Sequence, residues 1–166
     1  MLSKTVLLAI RALLVVVKNP PGAVISPRTI AASLNESPAY MAKVLRLLVK
    51  AGILRAERGV KGGVFLSRRT AEITLLEIVE ACQGTIHGSY CQPIDDLRIT
   101  CAFHRAAVEL EQAMVGVLSR WTLAQMEKSP GPLGPLPGAR HCVMTSFPAA
   151  ISARAAARPR KGSARA

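Results

Sequence analysis

The chain opens on an almost unbroken apolar run. Between Leu2 and Lys18, Leu7, Leu8, Ala9, Leu13, Leu14 and Val17 cover much of a helical circumference, with Lys4, Arg11 and Lys18 on what remains. A helix over residues 2–18 is predicted. So apolar a helix must be packed on several sides, beneath the elements that follow and against a later long helix. Asn19-Pro20-Pro21-Gly22 ends it, since proline has no N–H for the helical ladder. Arg11 interrupts the run midway, leaving stretches too short for a membrane span of about 20 residues and unlike a secretion signal.

Helical steps of three and four come next, with two interruptions. Ser26 can cap the opening turn of a helix and Pro27 already has helical φ, and Ile30, Ala31 and Leu34 then share a face. Ser37 and Pro38 repeat the signal, so the chain stops and restarts within about four residues, the spacing of a helix-turn-helix. In the second helix Met41, Val44, Leu45, Leu48 and Val49 make an apolar back, with Ala39, Tyr40, Lys43, Arg46 and Lys50 on or near the opposite face. Such a front suits a DNA major groove, with Tyr40, Lys43 and Arg46 as candidates to contact base edges. Gly52 stands where a left-handed cap is wanted, and Ile53–Arg55 and Val64–Leu66 are strand-like runs about a turn on Gly59, Gly62 and Gly63. Arg58, Lys61, Arg68 and Arg69 would reach phosphates or the minor groove from this hairpin, and Ser37, Arg58 and Lys61 are the candidates for those contacts. One basic helix alone reads as an ordinary solvated surface. Two capped helices, a glycine stop and a basic hairpin in series read as a winged helix-turn-helix.

Thr74-Leu75-Leu76-Glu77 is a capping box opening a helix to about Ala81, closed by Gly84, whose Leu75, Leu76, Ile78 and Val79 would pack the wing against the body. Cys82 at its end reads as a small buried filler. Residues 85–98 have no period and carry His87, Cys91, Asp95 and Asp96. From Thr100 to Met126 the helical pattern returns and persists, with Phe103, Ala107, Leu110, Met114, Val117, Trp121 and Ala124 at alternating steps of four and three. This stripe fits an intramolecular core helix or a partner. Because no patterned segment follows to cover it, a homodimer through residues 100–128 is the better reading, with symmetric half-sites on DNA. From Ser129 the composition turns to Pro, Gly, Ala, Ser and Arg, which reads as a disordered basic tail.

The expected fold class is therefore mainly α: a winged helix-turn-helix with a small β-hairpin wing and a long C-terminal dimerisation helix. Residues 1–84 form the DNA-binding domain, 85–99 a sensor loop, 100–128 the dimerisation helix and 129–166 the tail.

Composition adds an aliphatic core, since the chain is 50% hydrophobic but only 4% aromatic. The net charge of +12 is uneven: residues 1–70 hold 12 Lys/Arg against 2 Asp/Glu, residues 71–128 hold 4 against 8, and residues 129–166 hold 6 against none. A basic first module points to an anionic partner, double-stranded DNA, and an acidic middle to self-association or sensing. No Gly-rich phosphate loop, paired carboxylates or Ser-His-Asp set sits on a plausible scaffold, so no enzyme is expected. Cysteines at 82, 91, 101 and 142 without a convincing secretion signal point to a reducing, cytoplasmic setting, where clustered thiols bind metal or do redox chemistry.

Residues 1–128 resemble the Rrf-two (BadM-type) winged-helix regulators. The resemblance rests on S-P-A-Y-M-A-K-V-L-R-L-L-V-K-A-G-I-L in the second helix, R-G-V-K-G-G-V-F-L in the wing and I-T-L-L-E-I-V-E-A-C-Q-G after it. It implies a homodimeric DNA-binding regulator, most often a repressor, with recognition helices in major grooves and wings in flanking minor grooves. Many members hold an iron-sulfur cluster on three cysteines. Here Cys91 matches the first and Cys101 the third, and His104 matches a histidine used by some members. The middle cysteine is missing, with Asp95 or Asp96 roughly in its place. A 2Fe-2S cluster, a two-thiol redox switch between Cys91 and Cys101, and a degenerate sensor all remain open. His104 itself could simply lie on an exposed helix face. The expectation is a repressor sensing redox, nitric oxide or iron-sulfur status through these residues. The alternative is a cofactor-free regulator controlled by a protein partner or thiol oxidation.

Overall fold

A computed structural model describes residues 2–59, 62–86, 97–131, 142 and 144. Its centre is the first helix, α1 (Lys4–Val17), whose opening turn is capped by Ser3 Oγ accepting from the Val6 N–H. Val6, Leu8, Ala9, Ile10, Ala12, Leu13, Leu14 and Val16 are all buried, so apolar contact surrounds most of the helix. The helices and strand packed on it are α2 (Pro27–Leu34), α3 (Pro38–Lys50), α4 (Leu75–Gln83), α6 (Leu123–Lys128) and β2 (Gly63–Leu66).

Helices α2 and α3 form the helix-turn-helix. Ser26 and Ser37 both accept from the N–H three residues on, and Pro27 and Pro38 occupy the first turns. Asn35 lies between them at φ 53°, a left-handed conformation that short polar side chains tolerate, and it ends α2 sharply enough for the restart. Ile30, Ala31, Leu34, Met41, Val44, Leu45 and Leu48 close over α1.

Gly52, at φ 71°, turns the chain out of α3 as expected. The wing pairs β1 (Leu54–Glu57) antiparallel with β2, Leu54 opposite Leu66 and Arg55 opposite Phe65. The first strand lies a little later than its apolar run suggests, because Ile53 is spent on the core and its carbonyl accepts from Ser67. Ile25 adds a bridge to the other edge of β2, exchanging hydrogen bonds with Val64 at 2.9 and 3.0 Å. Gly63 is required there, since a Cβ would stand 2.3 Å from the Ile25 carbonyl oxygen.

Two helices replace the single one expected over residues 100–126. The long helix α5 (Ala102–Arg120) stops at Trp121, which is extended at φ −90°, ψ 129°. Two backbone bonds cause the break: Leu75 N–H donates to the Trp121 carbonyl and Leu123 N–H to that of Ile73, each at 2.8 Å. The break sends Leu123 into the core, where it is fully buried, and α6 follows behind a Thr122–Gln125 capping box. Contact of α1 with the C-terminal region thus runs substantially through α6. Of the residues beyond Gly131 only Cys142 and Met144 are described, and Met144 is half-buried against the core. Most of the tail lies outside the described residues.

Candidate nucleic-acid interface

The outer face of α3 carries Ala39, Lys43, Arg46 and Lys50, all exposed and spaced by four, three and four. Burial of the opposite face against α1 and α2 leaves these cations nowhere to point but outward. Tyr40 departs from the expectation that grouped it with them. Its ring packs against the core and its hydroxyl is hydrogen-bonded to Thr5 Oγ1 at 2.9 Å, so it anchors α3 to α1 rather than standing on the reading face. Ser37 is exposed, with its hydroxyl engaged as the α3 cap.

On the wing, Arg58 is exposed beyond β1, while Lys61 lies outside the described residues. Arg68 and Arg69, which the sequence offers as phosphate contacts, are both ion-paired: Arg68 to Glu77 at 2.7 Å, and Arg69, whose side chain is 85% exposed, to Glu72 at 2.6 Å. Arg55 is a cation that sequence reading passed over. It faces outward from β1 beside Phe65, and with Arg58 and Arg68 it lines a recess of about 630 Å³ between the wing and the end of α3. Strand alternation from the buried Leu54 could have found it.

The α5 stripe is open over its length: Phe103 is 65% exposed, Leu110 60%, Val117 46% and Trp121 44%. Nothing on α5 is buried, although Leu118, beside Val117, packs against the core. The candidate sensor residues sit at the start of this helix. Cys101 is its cap, exposed, with Sγ accepting from the His104 N–H at 3.4 Å. His104 is half-exposed and Cys91 lies outside the described residues. Among the described residues no group of three His, Cys, Asp or Glu could hold a metal ion, and Asp95 and Asp96, like Cys91, lie outside them. Cys82 is half-buried and packs against the core, and burial pushes its thiol up to about 11.

A capped helix pair, a cationic α3 face and a hairpin wing define a winged-helix DNA-binding regulator. The chain belongs to the Rrf2 family of iron-dependent transcriptional regulators, whose family model matches residues 2–129. It is 31% identical over 121 residues to the HTH-type transcriptional regulator YwgB of Bacillus subtilis, covering 73% of this chain and 76% of that one. It is 29% identical over 107 residues to the HTH-type transcriptional regulator NsrR of Geobacillus kaustophilus, covering 60% and 70%. Its fold is similar to that of CymR, the global cysteine regulator of B. subtilis, with a TM-score of 0.62 and 22% identity over 77% of this chain and 96% of that one. The chain is a transcriptional regulator and not an enzyme. Among the described residues, no helix is long and apolar enough to cross a membrane.

Proposed function

We propose that the protein is a homodimeric repressor that reads a twofold DNA site, with α3 in the major groove and the wing at the flanking minor groove. The observation that carries this is the exposed Lys43, Arg46 and Lys50 stripe on an otherwise buried helix, beside a basic hairpin. Lys43 and Arg46 contact base edges. Ser37, Arg55, Arg58 and Lys61 contact phosphate or the minor groove, and Tyr40 holds α3 in place. The exposed heptad positions Phe103, Leu110 and Val117 support pairing through α5, which at 19 residues is about 28 Å long.

The signal acts through Cys91, Cys101 and His104. A 2Fe-2S cluster would draw on these three and needs a further donor, whereas a disulfide between Cys91 and Cys101 needs no further ligand, only a two-electron oxidant. Selection of bound duplexes from a random pool, with reduced and oxidised protein, tests the function. A single palindromic sequence recovered by one redox state supports it, and an unenriched pool with both states rejects it. Iron and sulfide content of anaerobically purified protein decides between cluster and thiols.

A further inference from the structure

Arg68 lies two residues beyond β2, in a basic run whose sequence suggests phosphate contacts. Its guanidinium instead points back into the protein. Nη2 donates to Glu77 Oε1 at 2.7 Å and Nη1 to the Glu72 carbonyl at 3.2 Å. The other oxygen of the same carboxylate accepts from the Thr74 backbone N–H at 2.8 Å and from the Thr74 hydroxyl at 3.2 Å. Glu77 therefore closes the N-terminus of α4 with one oxygen and holds the exit of the wing with the other.

The segment being closed is also the one that grips the C-terminal helices. Thr74 bridges Thr122, and Leu75 and Leu123 exchange bonds with Trp121 and Ile73 across the same two strands of chain. Trp121 continues the exposed α5 stripe. A path of direct bonds thus runs from wing to Arg68, Glu77 and Thr74, and on to the joint between α5 and α6.

We propose that Arg68 and Glu77 are positioning residues for DNA recognition, their ion pair setting the angle at which the wing stands to α4 and to the α5–α6 joint. The inference rests on the DNA-reading function above. A two-stranded hairpin has little rigidity of its own and takes its orientation from whatever it is tied to. Ile25 ties one edge of this one and Ser67 ties its base to Ile53, and the Arg68 fork is the tie to α4. Both side chains are a little over one-third exposed, at 36% and 37%, so the pair adds little to stability. A two-point guanidinium contact nevertheless fixes direction. Its loss should appear in binding before it appears in folding.

Glu77→Gln separates the two roles of the carboxylate, because glutamine still serves the third position of a capping box but gives up the charge that holds Arg68. In the full chain, Glu77→Gln and Arg68→Gln should each weaken binding to a selected duplex roughly 3- to 30-fold, the double variant no more than either one. Hydroxyl-radical protection of the flanking minor groove should fade while methylation protection of major-groove guanines persists. Arg68→Lys, which keeps the charge and loses the fork, should restore only part of the affinity. If Arg68→Gln weakens binding while Glu77→Gln does not, Arg68 touches phosphate itself and the proposal is wrong. Unchanged minor-groove protection in both variants overturns it as well. Absence of any protection by the unaltered protein would remove the DNA-reading function along with it.

Discussion

The Tyr40 hydroxyl and Thr5 Oγ1 lie 2.9 Å apart, joining the helix that faces DNA to the helix at the centre of the core. The bond is part-buried and spans 35 residues of sequence, so it fixes where α3 sits rather than what it touches. Tyr40→Phe keeps the ring and removes the bond. It should cost about 0.5–1.5 kcal/mol of stability in thermal denaturation. Affinity for specific and random duplexes should fall together. A loss confined to the specific duplex would return Tyr40 to the reading face.

Gly63→Ala tests the seat of the wing. The added methyl would stand 2.3 Å from the Ile25 carbonyl oxygen, a backbone atom that cannot swing aside, so the Ile25–Val64 bridge must open. A loss of at least about 2 kcal/mol is expected, with DNA affinity falling beyond what unfolding explains. Gly116→Ala is the control, since nothing lies within 4 Å of its Cβ and it sits in the middle of α5. That change should be neutral or stabilising, by up to about 1 kcal/mol.

Acid should loosen the base of the wing. Burial pushes the Glu77 carboxyl up, but the Thr74 backbone N–H and the Arg68 guanidinium outweigh it and hold the group below its ordinary value. A carboxylate depressed in the folded state stabilises fully above its unfolded value of about 4.3 and loses that contribution as pH falls through the lower folded value. Melting temperatures of the unaltered chain and Glu77→Gln should therefore differ at pH 6 and converge towards pH 3. A constant difference would mean that the charge is not what matters.

Leu110→Glu places a carboxylate in the middle of the exposed α5 stripe. The site is 60% exposed in the single chain, so the fold should survive. Sedimentation equilibrium should show the mass halving towards that of the 17.7 kDa chain. An unaltered mass would place the dimer interface elsewhere, or show that there is none.

Much of the fold could be read directly from local signals. Ser26, Ser37 and Thr74 cap the helices their positions promise, and Gly52 ends α3, because caps and left-handed turns depend on a few adjacent residues. The break at Trp121 was not legible in that way. Its residues continue the helical period, and it is imposed by hydrogen bonds to residues 73–75, far away in sequence. The partners of Tyr40, Arg68 and Arg69 were not legible for the same reason. Each of these residues lies where a DNA contact was expected, and its actual partner, Thr5, Glu77 or Glu72, emerges only when the chain is folded. Lys43 and Arg46 needed no such knowledge, because the apolar back of one helix determines its front.

The central claim is that α3 reads base sequence, and the most direct measurement is the ratio of affinities for a selected duplex and its scrambled counterpart at moderate salt, for the unaltered protein and Arg46→Ala. The unaltered protein should prefer the selected duplex by about a thousandfold or more, with two chains bound per site. Arg46→Ala should lose about 1–3 kcal/mol of that preference while its affinity for the scrambled duplex falls far less. Equal affinity of the unaltered protein for both duplexes, or an equal loss on both in the variant, would contradict the account.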